Sequence, residues 1–191
     1  MVEQADTLDL KSNSGNRVRV RFPSVAPIYK QIKGDGIMLY VAYGSNMSLS
    51  QMEYRCPNSY VVCNGKLYGW KLVFNIHADV IKSNENDFVP VVVWNIADAD
   101  WARLDMYEGY PSYYVKEIVN VILDNGEEEE AIVYVMAKHR KGICPPASGY
   151  FNGIVKGYID NGINTDYLFD ALNYSYDNKT EYNKYKMKEM I

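Results

Sequence analysis

Residues 113–137 read YYVKEIVNVILDNGEEEEAIVYVMA. Two runs rich in Val, Ile and Tyr, Tyr113 to Leu123 and Glu129 to Ala137, meet at Asp124-Asn125-Gly126. Asn-Gly between such runs is a strong hairpin signal, because the tight turn needs residues that tolerate positive φ. Two strands so joined are antiparallel, and the chain is therefore not a regular alternation of parallel strands and crossover helices. The acidic run Glu127 to Glu130 follows the turn and reads as a solvated edge.

Working outward from this hairpin, Val89 to Asn95 is an apolar run that reads as a buried strand, with Pro90 near its start. Tyr60 to Asn75 reads as strand, bend at Gly65, strand. Ile37 to Tyr43 is a buried strand ending at Gly44, and Ser48 is placed to cap a short helix through Arg55, stopped by Pro57. Asp98 to Glu108 has a helical pattern, with Asp98 as its cap and Gly109 just past its end. After Pro145-Pro146 a helix spans about Ser148 to Asn161, and a second runs from Asp166 to Leu172. About six strands, with helices gathered in one insertion and at the end, predict an α+β fold with a mixed or antiparallel sheet able to close into a barrel. Residues 1–36 stand apart: Asp9 to Asn16 is polar and reads as loop, and Arg17 to Phe22 alternates charge with apolar side chains before Pro23 and Pro27. They are read as an N-terminal arm or extra strand, 37–172 as the core domain, and 173–191 as a polar, frayed tail.

Composition narrows the chemistry. The 191 residues carry 20 Lys and Arg against 24 Asp and Glu, a net charge of −4, which argues against nucleic acid as a partner. Two His and three Cys without a C-x-x-C pair cannot readily build a structural zinc site. The sparse, odd set of thiols reads as reduced and the chain as cytoplasmic. Met1 to Leu10 carries three acidic residues and no signal-peptide core, and no stretch approaches the roughly 18 apolar residues of a membrane span. Neither a G-x-S-x-G elbow nor a phosphate-binding glycine loop is present.

Two places draw attention. Tyr43-Gly44-Ser45-Asn46 leaves a buried strand and enters a helix, where unpaired N–H groups make an anion site; ordinary strand-to-helix capping explains the same residues. In the helix from Asp98, Ala97, Trp101 and Leu104 form an apolar stripe whose next position is Glu108. Desolvation and the negative end of the helix dipole both raise a carboxyl pKa there, towards the range of a general acid-base; an exposed Glu at a frayed helix end is the alternative. Asp105, one turn-step away, reads as facing solvent or repelling Glu108. Tyr113, Tyr114 and Tyr150 stand where phenols could line a pocket, and packing explains them equally well.

Three segments in order resemble the γ-glutamylcyclotransferase (AIG2-like) family. Tyr40 to Met47, YVAYGSNM, is similar to its Y-x-A-Y-G-S-N-[LM] signature. Leu104-Asp105 to Glu108-Gly109, with Tyr114 downstream, resembles its L-D-x-x-E-G motif. Pro145-Pro146 to Tyr150, with Asn161-Gly162-Ile163 later, resembles its P-P-x-x-x-Y segment and helix closure. The match runs from about Ile37 to Leu172. The resemblance implies a small mixed β-barrel flanked by helices and an enzyme that converts a γ-glutamyl amide to 5-oxoproline and a free amine. It implies Glu108 as general base and acid, with Tyr40, Val41, Ala42, Tyr43, Gly44, Ser45 and Asn46 holding the glutamyl unit, and Tyr114 and Tyr150 lining the pocket. The substrate's own amine is the nucleophile, so no metal or cofactor is expected. The expected partner is the small-molecule γ-glutamyl substrate, with no membrane, and the chain a monomer or homodimer. A γ-glutamylamine cyclotransferase, a γ-glutamyl-deprotecting lyase and a non-catalytic binder on the same fold are the alternatives.

Overall fold

The computed structural model describes residues 7–11, 17–21 and 38–180. The chain divides into two units, Met1–Ile37 and Met38–Ile191. In the first, β1 (Thr7–Lys11) and β2 (Arg17–Arg21) pair antiparallel, with Leu10 opposite Val18. Asp9 to Lys11, expected as loop, is thus strand: a regular ladder satisfies the backbone of a polar segment as fully as water does. The expected stops at Pro23 and Pro27, and the end of the tail at 181–191, lie outside the described residues.

In the second unit five strands close a barrel: β3 (Leu39–Ala42), β7 (Phe88–Asn95), β4 (Tyr60–Tyr68), β8 (Tyr114–Leu123) and β9 (Glu128–Met136), in that order. The hairpin that decided the fold is β8–β9, in register from Tyr114 opposite Met136 to Ile122 opposite Glu128. Closure comes from β3, which runs antiparallel to β7 and parallel to β9, the latter through Leu39–Ala131 and Tyr40–Ile132. Leu39, Val41, Leu67, Val93 and Val133 fill the core, and β7 is buried along nearly its whole length, as its continuous apolar run predicts.

A separate hairpin, β5 (Trp70–Asn75) with β6 (His77–Lys82), stands beside the barrel. The turn into β5 is at Gly69, with φ +75°, and not at Gly65. Gly65 lies inside β4, where a Cβ would sit 2.9 Å from the Ile122 carbonyl oxygen. It is there so that β8 can come close, the other use of a strand glycine. Among the described residues four helices flank the sheets: α1 (Leu49–Arg55), α2 (Asp98–Glu108), α3 (Ser148–Asp160) and α4 (Asp166–Asp177). The last overruns the expected end at Leu172. Its Ser175 is fully buried against β5, accepting the Phe74 N–H at 3.1 Å and donating to the Ala171 carbonyl, so a polar turn pays its way by docking.

Helix α2 begins one residue earlier than the cap reading implies, with Ala97 as its cap and Asp98 in its first turn. Its inward row is Asp100, Leu104 and Glu108, spaced i, i+4, i+8, with Ala97 and Trp101 only half-buried. Buried Asp100 is satisfied by the Asn58 N–H at 2.8 Å, the Asn58 amide at 3.1 Å and the Ser59 hydroxyl at 2.8 Å. Gly109 ends the helix in the left-handed conformation, φ +63°.

Candidate active site

Strand β3 delivers Tyr40 to the cavity, and the chain then passes Tyr43 and Gly44 into a single 3-10 turn, Ser45–Met47. The Met47 N–H bonds to the Gly44 carbonyl at 3.0 Å, and the N–H groups ahead of it have no acceptor inside so short a turn. Helix α3 fastens this turn from behind: the Asn161 amide donates to the Met47 carbonyl at 2.7 Å, and a Cβ on Gly157 would lie 3.0 Å from the Met47 Cβ.

Glu108 arrives from the other side on the last turn of α2. The Asn46 side chain joins the two, donating from Nδ2 to Glu108 Oε1 at 2.6 Å and to the Tyr40 hydroxyl at 2.8 Å. Burial pushes the Glu108 carboxyl up to about 7, against the opposing pull of the Asn46 hydrogen bond and the Arg55 charge. Asp105, expected to face solvent or repel Glu108, is half-buried instead: it pairs with Lys116 at 2.6 Å and accepts the Tyr134 hydroxyl.

Two cavities meet at Glu108. A narrow one of about 30 Å³ is enclosed by Tyr40, Tyr43, Gly44, Asn46 and Tyr134. A wider one of about 260 Å³ is walled by His77, Tyr107, Gly109 and Tyr113. Ser45, Glu108, Tyr114 and Tyr150 line both. Eight expected residues thus come together: Tyr40, Tyr43, Gly44, Ser45, Asn46, Glu108, Tyr114 and Tyr150. Val41 and Ala42 do not; both are fully buried and line neither cavity, Val41 because it points to the opposite face of β3 from Tyr40.

The phenols differ in what their protons do. Tyr43 donates to the Tyr134 carbonyl at 2.6 Å, Tyr114 to the Ala78 carbonyl at 2.8 Å, and Tyr134 to Asp105. Tyr150 instead accepts the Ala78 N–H at 3.1 Å, and Tyr40 accepts from Asn46. A hydroxyl that accepts keeps its own proton for another partner, so Tyr40 and Tyr150 can donate into the cavity. Burial raises all five phenols, which stay protonated.

Sequence reasoning missed strand β6, whose Ala78 backbone anchors Tyr114 and Tyr150, and whose His77 walls the wider cavity with its pKa lowered by burial. It also missed Arg55 and Tyr134. A cation at the end of a short helix and one Tyr among 18 carry no signal of a site. Among the described residues no cluster of His, Cys, Asp or Glu is arranged to hold a metal, and no helix is long and apolar enough to cross a membrane.

The family model for gamma-glutamyl cyclotransferase, AIG2-like, matches residues 40–152, more than half of the chain. The chain belongs to this family. Human gamma-glutamylcyclotransferase is 30% identical over 141 residues, covering 68% of this chain and 74% of the human protein. The mouse gamma-glutamylcyclotransferase is 29% identical over the same length. A solved gamma-glutamyl cyclotransferase structure superposes with a TM-score of 0.61 at 27% identity, over 70% of this chain and 85% of that one. The barrel with flanking helices is the architecture of the γ-glutamylcyclotransferase family, and the protein is an enzyme of this type.

Proposed function

We propose that the protein cyclises a γ-glutamyl-amino acid to 5-oxoproline, releasing the free amino acid, with Glu108 as the proton-transfer group. The reading rests on one observation above the others: the Glu108 carboxylate and the Gly44 turn line the same narrow cavity, joined by the 2.6 Å bond from Asn46.

In the reaction the substrate α-amine attacks its own γ-carbonyl carbon. Glu108 takes a proton from the amine as the ring C–N bond forms, and the carbonyl electrons move onto oxygen. Collapse of that intermediate breaks the amide C–N bond, and Glu108 returns the proton to the departing nitrogen. A carboxyl with a pKa near 7 suits both steps, since it is ionised enough to accept and acidic enough to give back. Such a group contributes typically ~10²–10⁴-fold. Holding amine and carbonyl of one molecule in contact supplies the rest of the advantage without any enzyme nucleophile.

The reacting amide belongs where the two cavities meet. The glutamyl unit then lies towards Tyr40 and the Gly44 turn, where the hydroxyls of Tyr40 and Tyr150 can donate to its oxygens. The leaving amino acid lies in the wider cavity against His77, Tyr107 and Tyr113. Glu108→Gln tests the role directly: 5-oxoproline release from γ-glutamyl-alanine is expected to disappear while the circular dichroism spectrum is unchanged. Undiminished turnover in a folded Glu108→Gln variant overturns the reading. A mass-spectrometric panel of γ-glutamyl amides then ranks amino-acid against amine leaving groups.

A further inference from the structure

Arg55 touches neither cavity, yet four of its neighbours converge on its guanidinium. It donates from Nη1 to the Ser45 hydroxyl at 3.2 Å and to Asn46 Oδ1, and from Nη2 to Gln51 Oε1. Its Cζ lies 3.6 Å from the centre of the Tyr107 ring, a cation–π contact. A planar fork held on two edges and one face has little freedom left. The backbone beneath it is held separately, by Arg103 donating to the Arg55 and Tyr54 carbonyls at 2.9 and 3.0 Å.

The bond to Asn46 decides which way that amide points. A guanidinium donates and cannot accept, so the end of Asn46 that meets it must be the carbonyl. The amide nitrogen is then forced to the opposite side, where its two hydrogens reach Tyr40 and Glu108 Oε1. Turned the other way, Asn46 would set its carbonyl oxygen against the Glu108 carboxylate, acceptor against acceptor. With the amide as found, Oε1 is occupied, and Oε2 is the oxygen that exchanges protons with a substrate.

We propose that Arg55 is a positioning residue for the cyclisation: it locks the Asn46 amide so that Glu108 presents one defined oxygen to the substrate. This inference rests on the assignment of Glu108 as the proton-transfer group. The groups that face Glu108 from other elements are Tyr40, Tyr43, Tyr114, Tyr134 and Tyr150, the Cys56 thiol, raised by burial to about 11, and His77, lowered by burial. All are neutral at pH 7 to 8. Burial has the largest effect on Glu108 and raises it; the Asn46 hydrogen bond and then the Arg55 charge oppose that rise.

Arg55→Lys is the informative variant. It keeps the charge and the stem and loses the fork, so it cannot hold Asn46 and Gln51 together. The midpoint of the Glu108 carboxyl, followed by carbon NMR in the ligand-free protein, is expected to rise by about one unit. The acid limb of kcat/KM for γ-glutamyl-alanine moves up with it. Loss of the lock lowers kcat by about tenfold or more, with KM changed less than about twofold, because the interaction lost serves the reacting state. Asn46→Ala is expected to cost less in the Arg55→Lys background than in the wild type, since the two side chains act as a unit. Gln51→Leu removes only the brace behind the guanidinium. It gives a smaller shift in the same direction and serves as the test if Arg55→Lys does not fold. A folded variant with an unmoved Glu108 midpoint and an unchanged kcat overturns the proposal. The titration needs no substrate, so a wild-type protein inactive on every γ-glutamyl amide would overturn the cyclisation and leave Arg55 to be judged on the titration.

Discussion

Burying the Glu108 carboxyl makes stability depend on pH, and the sign can be worked out. Its carboxyl sits at about 7 in the folded protein against an ordinary value of 4.5. Between those values the folded state binds the proton more tightly than the unfolded one. The stabilisation from that proton is complete below about pH 4.5 and is lost as pH rises through 7. Glu108→Gln, which cannot ionise, is therefore expected to gain stability relative to the wild type between pH 5 and pH 8, by about 1–3 kcal/mol. Urea denaturation at the two pH values checks this; a difference that does not change with pH would contradict the desolvated carboxyl. The phenols divide in the same way between chemistry and structure. Tyr150→Phe removes a donor that faces the cavity, and kcat/KM is expected to fall about 10–100-fold; it also leaves the Ala78 N–H without its 3.1 Å acceptor, so some stability goes with it. Tyr43→Phe leaves the buried Tyr134 carbonyl without its 2.6 Å partner, and stability is expected to fall by about 1–3 kcal/mol. Kinetics and thermal melts on both variants read the contrast.

At the scale of elements, α2 is held by its first turn as much as by its apolar face. Asp100→Ala strands the Asn58 and Ser59 donors, and a loss of about 2–4 kcal/mol in urea denaturation is expected. This carboxylate also marks where sequence reading stops. The hairpin at Asp124 to Gly126, the buried run of β7 and the glycine stop at Gly109 are local patterns, and each was legible. Strand β6, HADVIK, was not. Its Asp79 interrupts the apolar alternation, yet is fully buried, accepting the Asn75 amide, the Val80 N–H and, from 57 residues away, the Met136 N–H. Burial raises its pKa. No local pattern announces partners that distant. The candidate site was legible where its residues fall in contiguous motifs, as Tyr40 to Asn46 and Leu104 to Gly109 do. Val41 and Ala42 share the motif and are fully buried, lining neither cavity. Arg55 was invisible because its meaning depends on the rotamer of a side chain nine residues earlier.

At the scale of the molecule, every residue assigned to the two cavities comes from the unit that begins at Met38. A chain started at Met38 is expected to keep the far-ultraviolet spectrum of the barrel and to release 5-oxoproline with kcat/KM within about threefold of the full chain, a difference below about 0.7 kcal/mol. A larger loss would bring residues 1–37 into the function. The fastening of the Ser45–Met47 turn by α3 bears on how such an enzyme can diversify. Asn161 grips the Met47 carbonyl, and a Cβ at Gly157 would press within 3.0–3.1 Å of Met47 and the Ser48 nitrogen, so an enlargement of the turn pushes against α3. The wider cavity is walled by side chains nearer the surface: Tyr107 is exposed and Tyr113 half-buried, each stacked under an arginine, Arg55 and Arg140. The side chains at 107 and 113 can thus change, and with them the shape of the wider cavity, with less disturbance to the backbone than any change in the Ser45–Met47 turn.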